Sequence, residues 1–139
     1  MNEHGFVKSV HSHLPSTVYK WKIRDTYTGG IPDAFYSGPR CMMFIEYKYI
    51  KKLPVRSNTN IKCNISELQH LWLHRMYDQG HKVAVILGVD REALIMQYPA
   101  VWKEPITKSY FQDNCVSFTD VSKRIEEQCT KTTQENSLP

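Results

Sequence analysis

The sequence has no apolar stretch approaching the ~20 residues of a membrane-spanning helix, so a single-pass or multi-pass helical membrane protein is excluded. Its opening Met1-Asn2-Glu3-His4 carries an acid and is followed by no apolar h-region, so no secretory signal is expected and a cytoplasmic location is. Cysteine is scarce: four residues, at 41, 63, 115 and 129, make no C-x-x-C pair. None is spaced with a histidine as a zinc site requires, so all four are expected to be reduced and structural, and no small-molecule cofactor is expected. There is no internal repeat. Neither sign of charge dominates, with a formal net charge of +4. What remains is an ordinary globular composition, 41% hydrophobic and 23% charged over 139 residues, enough for one domain with a real core.

The modest basic excess is unevenly placed. Of 18 Lys and Arg residues, only Lys123, Arg124 and Lys131 follow residue 118, where Asp120, Glu126, Glu127 and Glu135 offset them. The body of the domain therefore holds the cations. Two clusters mix them with aromatic and aliphatic residues, Lys20-Trp21-Lys22-Ile23-Arg24 and Lys48-Tyr49-Ile50-Lys51-Lys52, a composition suited to phosphate backbones and equally to a solvated face.

Hydrophobic spacing predicts a helix over residues 3–14, with Phe6, Val7, Val10 and Leu14 on one stripe and Pro15 ending it. Strands follow over Val18–Ile23, Asp33–Tyr36 and Cys41–Ile50, separated by turns at Tyr27-Thr28-Gly29-Gly30 and Ser37-Gly38-Pro39. The nearly continuous apolar run from Cys41 predicts a strand covered on both faces. After a polar loop, Leu53–Lys62, a helix is expected with Asn64 as N-cap, Glu67 completing a capping box and Gly80 at its end. Ile65, Leu68, Trp72 and Met76 form its expected core stripe, while His70 and His74 fall on the exposed side and are not counted as catalytic. Strands over Val83–Val89 and Glu92–Tyr98 come next; from Pro99 onward the pattern is ambiguous, with a helix fitting Val121–Cys129 and a loose tail, Thr130–Pro139, after it. This order predicts one α/β domain over residues 1–129, a central mixed sheet flanked by helices.

One feature breaks the pattern. Glu46 and Lys48 sit inside the apolar run, two residues apart and hence on one face of their strand. Burying such charges is costly unless they pair with each other or face something charged. An E-x-K spacing serves a plain ion pair, but the upstream Pro32-Asp33 adds a second carboxylate. If the 33–36 and 41–50 strands form a hairpin, Asp33 lies near Glu46. Two carboxylates converging in a partly dry site repel unless a divalent cation lies between them. A neighbouring lysine could then orient or deprotonate a water, or stabilise charge developing on a phosphate. The set reads as metal-assisted phosphodiester hydrolysis. A further polar residue, Gln69, falls within the apolar stripe of its helix, where a buried amide needs partners; at the stripe's edge it would reach solvent instead.

The pattern Pro32-Asp33, then Glu46-Tyr47-Lys48, resembles the signature of the PD-(D/E)xK nuclease superfamily. With the surrounding G-I-P-D, F-I-E-Y-K, S-E-L-Q and G-H-K-V-A-V-I segments, residues 1–89 look like its small VRR-NUC and phage-resolvase-like members. The resemblance implies a restriction-endonuclease-like fold and a DNA endonuclease, acting on branched or structured DNA or at specific sites. It implies Mg²⁺, for which Mn²⁺ substitutes, held by Asp33, Glu46 and the backbone carbonyl of Tyr47, with Lys48 beside the attacking water. It implies a role for Gln69 in the site, and for a glutamate of the first helix. Glu3 is that candidate, although the helix dipole alone favours an acid there. Lys20, Lys22, Lys51, Lys52 and Arg56 are the expected DNA-backbone contacts, and cutting two strands implies a homodimer. The alternatives are an inactive nuclease fold used to bind nucleic acid, or a nuclease acting on RNA or as an exonuclease.

Overall fold

The computed structural model describes residues 1–24 and 29–131. Tyr27 and Thr28 of the expected first turn, and the expected tail beyond Lys131, lie outside the described residues. The chain opens with α1 (Glu3–Ser12), capped by the Asn2 side chain, which accepts from the Gly5 N–H at 2.9 Å. Next come β1 (Tyr19–Lys22), β2 (Ala34–Ser37) and β3 (Met42–Ile50), a short β4 (Asn60–Ile61), and α2 (Glu67–Asp78). The second half contains β5 (Lys82–Val89), β6 (Glu92–Met96), α3 (Pro99–Trp102), β7 (Ile106–Thr107), α4 (Lys108–Asn114), β8 (Val116–Ser117) and α5 (Phe118–Thr130).

Six strands form one sheet in the order β1-β2-β3-β5-β6-β8. Only β3 and β5 are parallel; the other neighbours pair antiparallel. The parallel pair is the buried centre, as the apolar run of β3 predicts, and α2 supplies the crossover that parallel pairing requires. α1 and α5 cover one face. Phe6, Val10, Tyr36, Ile45, Tyr47, Ile86, Val121 and Ile125 make that core. On the other face Leu73, Val83, Val85, Leu87, Leu94, Trp102, Ile106 and Phe111 form a second. Each such side chain, fully buried, contributes about 1.5–3 kcal/mol. The result is an α/β sandwich in the restriction-endonuclease-like arrangement.

Several expected boundaries move. α2 is capped by Ser66 rather than Asn64, and the capping box is closed by Gln69, not Glu67. Asn64 instead takes a left-handed conformation (φ 54°) just ahead of the helix. Leu68, expected in the core, is exposed, and Leu73 is buried in its place. The Leu68 side chain lies over Gly29 instead of the sheet. His70 and His74 are half-buried rather than exposed, and His74 pairs with Asp78 at 2.9 Å. α5 begins three residues before the expected helix and extends through Thr130, which therefore belongs to the domain rather than to the tail.

The turn that launches β2 is locked against α2. Gly30 has φ +85°, and a Cβ there would collide with the backbone carbonyl of Leu68. Gly30→Ala is therefore expected to cost about 1–3 kcal/mol through strain and overpacking. Thermal melting checks this; an unchanged melting temperature would mean that the turn is not held by α2.

Candidate active site

The site forms where β2 stops beside β3. The last ladder pair of that hairpin is Ala34 with Ile45. Pro32, opposite Tyr47 at the next rung, has no N–H to give the Tyr47 carbonyl, and the backbone ladder stops before it. Asp33 fills the gap: its Oδ2 accepts the Tyr47 N–H at 2.8 Å. Within a strand the N–H and C=O of one residue point the same way, so the Tyr47 carbonyl also faces the side that β2 has left.

Glu46 points to the same face from the middle of β3, with only 2% of its surface exposed. Its Oε2 accepts from the Gln69 Nε2 at 2.8 Å and lies 3.3 Å from the Lys48 Nζ. The orientation of the Gln69 amide is fixed by its other end, because its Oε1 accepts the Ser66 N–H at 2.9 Å in the capping box. One glutamine thus starts α2 and orients a buried carboxylate on β3. The remaining Glu46 oxygen, Oε1, is buried and has no hydrogen-bond partner. A buried acceptor in that state is costly.

Electrostatics ties the carboxylates together. Burial raises the Glu46 pKa to about 7, and the Asp33 charge adds to the rise against the opposing pull of Lys48. Burial likewise raises Asp33, opposed by the Tyr47 N–H, by Lys48 and Lys22, and by the adjoining Glu46 carboxyl. Burial and the Asp33 charge raise Glu3 as well, while Lys48 and Lys22 pull it down. Glu3 is solvent-exposed on the first turn of α1, so it stands at the rim of the site and not inside it.

The fold therefore brings together Asp33, Glu46, Lys48 and Gln69, with Glu3 and Lys22 within electrostatic reach. Lys22 Nζ also meets the His4 Nδ1 at 3.0 Å. The other predicted contacts lie apart: Lys20 donates to the His11 carbonyl at the far end of α1 at 3.2 Å, and Lys51, Lys52 and Arg56 are exposed after β3. Two neighbours were not anticipated. Cys63 lies close enough to Lys48 for that charge to act on its thiol, and no sequence spacing points to it. Beneath Tyr47 runs a hydroxyl chain, in which the buried Tyr47 and Tyr36 hydroxyls are 2.6 Å apart and His11 Nε2 is 2.7 Å from Tyr36. It fixes the far side of β3.

Among the described residues, no group of three or more His, Cys, Asp or Glu side chains is arranged to hold a metal. The donors that converge are two carboxylates and a backbone carbonyl, all hard oxygens of the kind that suit Mg²⁺ or Mn²⁺. The unpartnered buried Oε1 of Glu46 fits such an ion, which would satisfy it and relieve the repulsion from Asp33.

A pH dependence follows. Between the ordinary value of 4.5 and about 7, folded Glu46 keeps a proton that the unfolded chain has lost. The stability this proton confers is complete below the lower value and is lost as pH rises through the upper one. In chelator, Glu46→Gln is expected to raise the melting temperature at pH about 8 and to change it little at pH about 4. A variant that is destabilised at both would mean that Glu46 is ionised and well paired in the metal-free protein.

No protein-family model matches the sequence, and no curated protein matches it either. Its structure is similar to the 1.6 Å structure of Archaeoglobus fulgidus Hjc, a Holliday junction resolvase from an archaeal hyperthermophile. The TM-score is 0.55 at 12% identity, covering 88% of this chain and 97% of that one. The chain has a restriction-endonuclease-like α/β fold, with Asp33, Glu46 and Lys48 gathered at the break between β2 and β3.

Proposed function

We propose that this protein is a PD-(D/E)xK nuclease that hydrolyses DNA phosphodiester bonds with a divalent metal, and that its substrate is branched DNA. One observation carries the reading: Glu46 Oε1 is buried without a partner while its carboxyl faces Asp33. The likeness to a Holliday junction resolvase supports the choice of branched DNA.

Asp33, Glu46 and the Tyr47 carbonyl would hold Mg²⁺, with Mn²⁺ as a substitute. When bound, the cation supplies Lewis-acid stabilisation of phosphate charge and lowers the pKa of water. The chain's own residues do the rest. Gln69 keeps the Glu46 carboxylate in one orientation, and the capping box keeps Gln69 in place. Lys48, 22% exposed and 3.3 Å from Glu46, presents its ammonium to the solvent side, where it orients the attacking water and offsets charge developing on the phosphate. Glu3 at the rim adds a third acid within electrostatic reach of Asp33 and Lys48. Lys22 lies near enough to Glu3 and Asp33 to meet a phosphate flanking the cut. Lys20 at one end of the sheet, and Lys51, Lys52 and Arg56 beyond the other end of β3, are exposed and would meet phosphates further from the cut. Resolving a branch requires paired incisions, so the working form in this reading is a homodimer.

The test is a cleavage panel of linear, branched and single-stranded DNA with Mg²⁺, Mn²⁺ or EDTA. Branched DNA is expected to be cut only with metal, and Asp33→Asn is expected to abolish cutting with its melting temperature retained. Cleavage in EDTA, or by folded Asp33→Asn, would remove the metal-site assignment.

A further inference from the structure

The sheet face that carries Glu46 is only half covered. α2 packs over its centre, where Trp72 meets Phe44 at a ring separation of 5.1 Å. From Phe44 an aromatic row runs outward to the sheet's edge. Phe35 lies 5.2 Å from Phe44, and Trp21 and Tyr19 of β1 lie 6.5 and 6.4 Å from Phe35. The row ends in the open: Trp21 is 55% and Tyr19 61% exposed, and Met42 beside them is also exposed.

Register puts this row next to the candidate active site. Trp21 pairs with Phe35, and Phe35 with Phe44. Asp33 and Glu46 stand two residues further along β2 and β3, one same-face step of roughly 7 Å. On β1 the rings alternate with Lys20 and Lys22, whose ammonium groups turn to the opposite face, onto α1. Lys22 acts electrostatically on Asp33 from there.

We propose that Trp21 and Tyr19 form a stacking platform for unpaired bases next to the bond being cut, so that the site takes DNA with unstacked nucleotides at a branch point. This deepens the nuclease reading above and rests on it. Exposed Trp21 and Tyr19 rings one same-face step from the carboxylate row offer open π-faces on which bases stack. A second copy of the chain is the other natural occupant of an apolar face. At this edge, however, antiparallel pairing of β1 with its symmetry mate centred on Trp21 would set Lys20 of one copy opposite Lys22 of the other, which is unfavourable.

The experiment measures binding by the full chain carrying Asp33→Asn, so that chemistry plays no part. The probes are a duplex with a single-stranded branch, bearing 2-aminopurine at the unpaired nucleotides, and a fully paired duplex of the same length. Trp21→Ala is expected to weaken branched-probe binding roughly 10-fold or more while leaving the paired duplex within about 2-fold. It should also remove quenching of the 2-aminopurine, and Trp21→Phe should restore most of both. Equal loss on both probes, or no loss on either, would overturn the platform. So would a change in molecular mass for Trp21→Ala, because the face would then belong to a second copy. The two readings fail separately. Metal-dependent cutting by the wild type without selective loss in Trp21→Ala sinks the platform alone, and selective loss without any cutting sinks the nuclease reading while leaving a binding face.

Discussion

Two carboxyl groups held together in a nearly dry site are the constraint on which this structure turns. Neither alone would be unusual. Burial raises the cost of ionising both Asp33 and Glu46, and the Asp33 charge raises that of Glu46 further. The fold holds them there with several devices. Pro32 ends the β2 ladder so that Asp33 can take the Tyr47 N–H. Gln69 pins one Glu46 oxygen from α2, and Gly30 lets the turn sit against that same helix. The Tyr36–Tyr47–His11 chain holds the strand from behind. Stability is spent on geometry here, which is the usual signature of a working site.

Much of this was legible in the sequence because it rests on short-range rules. Strand parity alone puts Glu46 and Lys48 on one face, and a hairpin of matching strands puts Asp33 beside them; the observed register does both. Gln69 stood out as an amide within an apolar stripe, and it does reach a buried partner. The helix cap differs because Asn64 with Glu67 and Ser66 with Gln69 both have the capping-box spacing, and Asn64 takes a left-handed conformation that leaves the cap to Ser66. Leu68 was misplaced for a tertiary reason: the Gly29-Gly30 turn, absent from any helical pattern, takes its side chain. The region from Pro99 gave no clear pattern because its elements are very short. β7 and β8 have two residues each and α3 has four, too few for a period to show.

The two faces of the sheet divide the labour. One is closed by α1 and α5 over a continuous core that holds the tyrosine pair, with Glu3 and Lys22 at its rim. The other changes character across its width, from a closed core under α2, through the carboxylate row, to open aromatic rings at β1. In the proposed function the gradient is useful: rigid packing positions Glu46 and Gln69, while the open edge leaves room for nucleic acid. The comparison with a Holliday junction resolvase establishes the fold, and the chemistry is argued from the residues gathered on that gradient.

The central claim is that Glu46 and Lys48 form catalytic machinery and not a structural ion pair. Lys48→Met tests it most directly, because it keeps the aliphatic stem and removes the charge. Single-turnover cleavage and melting temperature should be measured on the same preparation. The account predicts a folded variant with DNA affinity close to that of the wild type and a cleavage rate lower by ~10²-fold or more, as loss of one such electrostatic group typically gives. A folded variant that cuts at near the wild-type rate would contradict it, as would a loss of activity fully explained by unfolding once Glu46 is unpaired.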